Sequence, residues 1–178
     1  MANHLIENPV GVDIPIQRLQ KLIYSKLNWT KFELFGRIYK NEIEGGIVPQ
    51  YFVSGKEYKK DVYIDGQNNA HSFFVVSDEH KKYKDNVRFE CEVKIIFTVN
   101  LKKLFPESIN RPDSEMHKLI YDLIKSDRNF EITGVQTGMS NVLSGFNIKS
   151  IKTKDLHPWH TFSINSNLIY NINQCLKT

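Results

Sequence analysis

Glu92 and Lys94 stand two apart in a stretch that reads as a β-strand, so their side chains share one face. A metal-dependent nuclease needs two carboxylates on a divalent ion and a lysine beside the attacked phosphate. Asp61, Asp65 or Asp78 would have to supply the second carboxylate. Glu90, Glu92 and Lys94 simply occupy alternate slots of an amphipathic strand, however, and cross-strand charge pairing explains them well. His157 and His160 flank Pro158-Trp159. Proline opposes a helix there, and on a strand residues three apart point to opposite faces, so the pair lacks metal-ligand spacing. His117 sits on the second predicted helix, without a partner acid or nucleophile in sequence reach. No nucleophile-elbow, P-loop or dinucleotide fingerprint occurs. The residues assign no catalytic, cofactor-binding or metal-ligating set, and no cofactor is expected.

The elements that would position these groups follow from periodicity. Ile16, Leu19, Ile23 and Leu27 make an apolar stripe on a helix over Ile14 to Leu27, with Asp13 as its cap and Pro15 in its first turn. Arg18, Lys21 and Lys26 lie on its polar face. Strands are expected over Phe32–Lys40, Ile47–Ser54, Tyr58–Ile64 and Ser72–Val76. Pro49 marks the second as an edge or irregular strand, and Phe73-Phe74-Val75-Val76 marks the fourth as central or covered. From Val87 to Leu101 every odd position is apolar, a strict period of two over fifteen residues. Such a strand is either bent by a bulge or projects beyond the domain body, where it would pair with another chain. Arg111-Pro112-Asp113 ends a loop, and Asp113 caps a second helix over Ser114–Lys125. Phe130–Val135 and a segment within Leu156–Ile172 complete the order. The layout is α+β, a largely antiparallel sheet with long strands or hairpins packed by two helices, in a single domain spanning residues 1–178.

Composition narrows the function classes. The 178 residues carry 24 Lys+Arg against 20 Asp+Glu, a net charge of +4, too mild for a dedicated nucleic-acid binder. The lysines at 56, 59 and 60 and at 81, 82 and 84 read as solvated loop charges, or as contacts to DNA phosphates or an acidic neighbour. Cys91 and Cys175 are too few for a disulfide framework and read as reduced, small apolar residues. Residues Met1 to Asp13 lack the pattern of a secretory signal. The longest charge-free run, Leu156 to Leu176, holds five Asn/Gln residues and two histidines, a load that a membrane helix would not carry. A reducing cytoplasm and no membrane are expected.

Charge is unevenly spread. Residues 130–178 hold six charged side chains in 49 positions, against 38 in the first 129. Ile132 to Ile148 has none. Interface cores are depleted in Lys, Asp and Glu and enriched in aromatics. The stretch reads either as a central strand and its loop buried in the monomer, or as a subunit interface. The asparagines favour contact, since a dry core rarely accepts so many amides. The interface candidates are Val87, Phe89, Gly138, Ser140, Ser144, Gly145, Trp159, Asn165, Asn167 and Tyr170.

Several segments resemble a protein encoded among the structural genes of phages and prophages of Bacteroidetes, including crAss-like phages. They are Val12-Asp13-Ile14-Pro15-Ile16-Gln17-Arg18-Leu19-Gln20, Tyr39-Lys40-Asn41, Ser72-Phe73-Phe74-Val75-Val76, Leu101-Lys102-Lys103-Leu104-Phe105-Pro106 and Arg111-x-Asp113-x-Glu115-Met116-His117. In layout the chain also resembles tail-terminator, or tail-completion, proteins. The resemblance implies a non-enzymatic virion protein that forms a ring of six or twelve copies in the phage neck. Its partners would be further copies of itself and the neighbouring portal, connector and tail proteins, with passive contact to DNA in the channel. Assembly would take place in the host bacterial cytoplasm. A tail-assembly chaperone absent from the virion and the Glu92/Lys94 nuclease are the alternatives.

Overall fold

The computed structural model describes residues 2–53, 55, 57–59, 62–63, 66–149, 151 and 156–172. The predicted Tyr58–Ile64 strand falls partly outside these, as do Lys56, Lys60, Asp61, Asp65 and Cys175. In chain order the elements are β1 (Ala2–His4), α1 (Asp13–Leu27), β2 (Phe32–Ile43), β3 (Gly46–Phe52), β4 (Tyr58–Lys59), β5 (Ala70–Lys82), β6 (Phe89–Asn100), α2 (Leu101–Leu104), α3 (Asp113–Lys125), β7 (Phe130–Thr137), α4 (Met139–Val142) and β8 (Trp159–Tyr170). The strands form one eight-stranded sheet in the order β4-β3-β2-β5-β6-β8-β7, with β1 beside β2. Only β1–β2 and β2–β5 run parallel among these pairs. The fold is α+β with a mostly antiparallel sheet.

The period-two stretch becomes β6, but it does not project. All twelve residues pair with β8, from Phe89↔Tyr170 to Asn100↔Trp159, and the other edge pairs with β5. The bulge lies in β5, between Val76 and His80, rather than in β6. Local side-chain competition trims both ends of the predicted strand. Asp85 accepts hydrogen bonds from the backbone N–H groups of Val87 and Arg88 at 3.0 and 2.9 Å, holding Val87 in the hairpin loop. Asn100 Oδ1 accepts from the Lys103 N–H at 3.1 Å and starts the short helix α2 at Leu101.

The odd positions of β6 face α1 and α3. Ile16, Leu19 and Ile23 of α1 and Met116, Ile120 and Ile124 of α3 close over them at 0–1% exposure. The predicted cap residues behave differently from expectation. Asp13 and Asp113 are the first helical residues of α1 and α3, and neither helix has a side-chain cap. Asp13 instead takes an ion pair from Arg37 at 3.0 Å, and Asp113 one from Arg111 at 2.7 Å. Arg18, expected on a solvated face, reaches Asp127 at 2.7 and 2.8 Å and ties α1 to the α3–β7 turn. Gln20, buried in the same helix, donates to Asn3 Oδ1, the His4 carbonyl and the Leu34 carbonyl, which fastens β1 to β2. A Cβ at Gly36 would stand 3.0 Å from Gln20 Oε1, so glycine allows this close approach.

The even positions of β6 face a second, smaller core. Phe35, Ile38, Phe73 and Ile96 meet Val142 and Leu143 from α4 and the residue after it, along with Val62. Gly138, at φ 86°, turns the chain from β7 into α4, a backbone conformation that suits glycine.

Candidate functional surfaces: a polar cleft and an open sheet edge

Strands β2, β5, β6, β7 and β8 together floor a cleft of about 600 Å³ on the second face, walled by α4 and the segment after it. Glu92 and Lys94 project into it because even positions of β6 point this way. Register places Asn167 opposite Glu92 and Asn165 opposite Lys94. Ser144 and Phe146 close the side. The Lys94 ammonium donates to the Val142 carbonyl at 3.3 Å. Partial burial holds its pKa below the ordinary lysine value. Lys40 at the rim pairs with Asp78 at 3.4 Å, and the Asp78 side chain is 93% exposed.

The two groups of the nuclease reading therefore share one cleft, but the geometry adds no second carboxylate to them. Asp78 turns outward to Lys40, and Asp61 and Asp65 lie outside the described residues. Among the described residues, no three His, Cys, Asp or Glu side chains converge as a metal cluster. What the cleft offers is a cation, a carboxylate and two amides over a partly apolar floor. That set suits polar recognition.

The interface candidates fall into separate groups. Asn165, Asn167 and Ser144 line the cleft. Gly138, Ser140 and Gly145 follow β7 around its end, with Ser140 and Gly145 exposed. Phe89 and Tyr170 pair across one end of the β6–β8 ladder. Tyr170 is buried in the monomer at 6% exposure, its hydroxyl 2.5 Å from His80 Nδ1, and Phe89 packs against the same core. Val87, 74% exposed, lies in the hairpin loop nearby. Trp159, half-buried, stands at the opposite end of that ladder, about 36 Å away at ~3.3 Å per residue. The charge-poor last third divides accordingly. β8 lies in the sheet interior between β6 and β7, which explains its lack of charge without a partner chain. β7 is different: it ends the strand order, and its outer edge has no partner strand among the described residues.

That edge is weakly protected. Natural edges carry lysine, proline, bulges or a covering element. β7 has neither lysine nor proline, and its single charge, Glu131, sits at its start. Among the described residues a bulge between Ile132 and Gly134 is the one such device. Beyond it, Gly134 has open space around its missing Cβ, and Val135 is 45% exposed.

The histidines regroup as well. His157 lines a shallow pocket beside Arg111 and Phe105, apart from His160. His160 is buried and faces His117 across the α3–β8 contact, their Nε2 atoms 2.9 Å apart. Periodicity had no means of finding this pair, because its members lie 43 positions apart on different elements.

Comparison with family models, with curated proteins and with solved structures returned no match.

Proposed function

We propose that this chain is a structural subunit that assembles with copies of itself into a ring, in the phage neck between portal or connector and tail. The observation that carries the reading is the open, nearly neutral edge of β7. Pairing there extends the sheet into a neighbour through backbone hydrogen bonds, and the uncharged residues from Ile132 to Ile148 avoid like-charge repulsion. A closed ring needs two different surfaces on each subunit that fit head to tail. The wide separation of Trp159 from the Val87 loop provides candidate surfaces at opposite ends of the sheet. The segment resemblances and the α+β layout support the placement in a virion neck.

The test is assembly. Native mass spectrometry and electron microscopy of the purified chain, alone and with a portal or connector ring as template, should give rings of six or twelve copies. Val135→Lys places a charge on the edge at an exposed position. It should abolish the ring while leaving the monomer's stability within about 0.5 kcal/mol. A chain that stays monomeric with and without the template would refute the reading. Detection in purified virions by proteomics separates a ring protein from a tail-assembly chaperone. The enzymatic alternative is a divalent-metal nuclease built on Glu92 and Lys94, which share the cleft. DNA cleavage with Mg²⁺ or Mn²⁺ that is lost in Glu92→Ala would establish it.

A further inference from the structure

Three arginines from separate parts of the chain line one hollow of about 490 Å³, beside the Tyr170 end of the β6–β8 ladder. Arg18 comes from α1, Arg88 from the hairpin loop just before β6, and Arg128 from the turn between α3 and β7. Asn129 and Asn171 complete the polar wall. Among the described residues no carboxylate stands in that wall.

Two of the three charges are balanced from behind. Arg18 donates from Nε and Nη2 to the Asp127 carboxylate at 2.8 and 2.7 Å, and from Nη2 to Asn129 Oδ1 at 2.9 Å. Arg88 donates from Nε to Asp85 at 2.6 Å. These pairs hold the guanidinium groups in place without exhausting them. A guanidinium carries five N–H donors in a rigid fork. The Nη1 group of Arg18 and both terminal groups of Arg88 stay unpaired among the described residues. Arg128 is exposed and has no hydrogen-bond or ion-pair partner among them. The hollow therefore combines one unbalanced positive charge with spare donors from three directions.

The shape of that donor set selects the anion. A carboxylate offers two oxygens, and a single fork satisfies it, as Arg18 does for Asp127. A phosphate offers several oxygens around a tetrahedral centre, so it can accept from guanidinium groups that arrive from different elements. The volume leaves room for more than the bare ion. The geometry points to a binding site for the phosphate group of a phosphoester, formed by Arg18, Arg88 and Arg128. The site does not rest on the ring reading and would exist in a monomer.

Isothermal titration calorimetry of the full chain with AMP, inorganic phosphate, adenosine and a short DNA duplex tests it. AMP should bind saturably, one per chain, and inorganic phosphate should displace it, while adenosine should not bind. Arg128→Gln should weaken AMP binding more than about tenfold, the loss of a charge-assisted hydrogen bond. Its thermal midpoint should match that of the native chain, because Arg128 holds nothing else. Lys26→Gln makes the same charge change near the far end of α1 and should leave binding unaltered. Arg128→Lys keeps the charge but loses the fork, and should weaken binding several-fold. The duplex separates the two sources of such a phosphate. Tighter binding of DNA than of AMP, lost in Arg128→Gln, assigns the site to a nucleic-acid backbone, and the reverse order assigns it to a free phosphoester. Saturable binding of neither, adenosine bound as tightly as AMP, or equal losses in Lys26→Gln and Arg128→Gln would each overturn the assignment.

Discussion

The two faces of the sheet are built for different ends. The face under α1 and α3 gathers twenty-four buried apolar residues into one core, and the opposite face gathers seven among the described residues. On the first face the odd positions of β6 meet two amphipathic helices, with Phe97 stacked on Phe162 at 5.3 Å. On the second, Glu92 and Lys94 take the slots that apolar residues fill elsewhere, and the cover is a four-residue helix and its following loop. One face holds the fold together. The other leaves part of the sheet open and places polar groups over it. A strand that alternates by residue can serve both, because its two parities are independent design problems.

Substitutions can break this contrast. Phe97→Ala should have the largest effect, about 3–5 kcal/mol by urea denaturation, since the site is fully buried between helices and sheet. An equal loss at a cleft position would show that the two faces contribute alike. Arg18→Ala should cost about 2 kcal/mol. It strips the bidentate partner from Asp127, whose side chain is 6% exposed. The loss should be read against the double variant with Asp127→Asn. Val75→Ala, on the partly open cleft floor, should cost only about 1 kcal/mol. A larger value would mean that the cleft is closed in solution.

The smallest effect is a pH dependence. Burial, with His160 beside it, lowers the His117 pKa below its ordinary value of 6.5. The folded state therefore prefers the neutral ring. The stability from this preference is present above the unfolded pKa and is lost as pH falls through the lowered folded one. Urea midpoints at successive pH values from 7.5 downward should fall for the native chain and fall less steeply for His117→Gln. Parallel curves would remove the histidine pair from the account. Cys91 belongs to the helix-covered face, where burial pushes its thiol up to about 12. In a Cys175→Ser background a thiol reagent at pH 8 should label it only on unfolding.

Much of the helix-covered face was legible in the sequence. The stripes of α1 and α3 and the alternation along β6 are local patterns, and local patterns report which side of an element is apolar. The same patterns carry no information on which strand lies alongside. For that reason the alternation of β6 was compatible with projection, while the structure pairs it on both edges. The lack of charge in β8 was likewise open between interior and interface until its neighbours were known. Asp13 and Asp113 satisfied the rule for helix caps, yet Arg37 and Arg111 claim their carboxylates. β1 and α4 are too short to show a period. The cleft was half visible: Glu92 and Lys94 stood out by type, but Asn165, Asn167 and Ser144 join them only through strand register and the turn after β7.

The position of β8 bears on how the molecule is made. The last strand in sequence among the described residues is not at the margin of the sheet; it is wedged between β6 and β7. A ribosome delivers β6 and β7 first, and neither can complete its ladder until residues 159–170 have emerged. A nascent chain stopped short of Trp159 would hold two strands with a missing strand's width between them. The edge proposed to meet other subunits would then be unattached to the rest of the sheet. In the proposed assembly the contact strand is fixed in place only after residues 159–170 have been made. Loss of β8 would remove the bridge between the folded body and its outermost strand, β7.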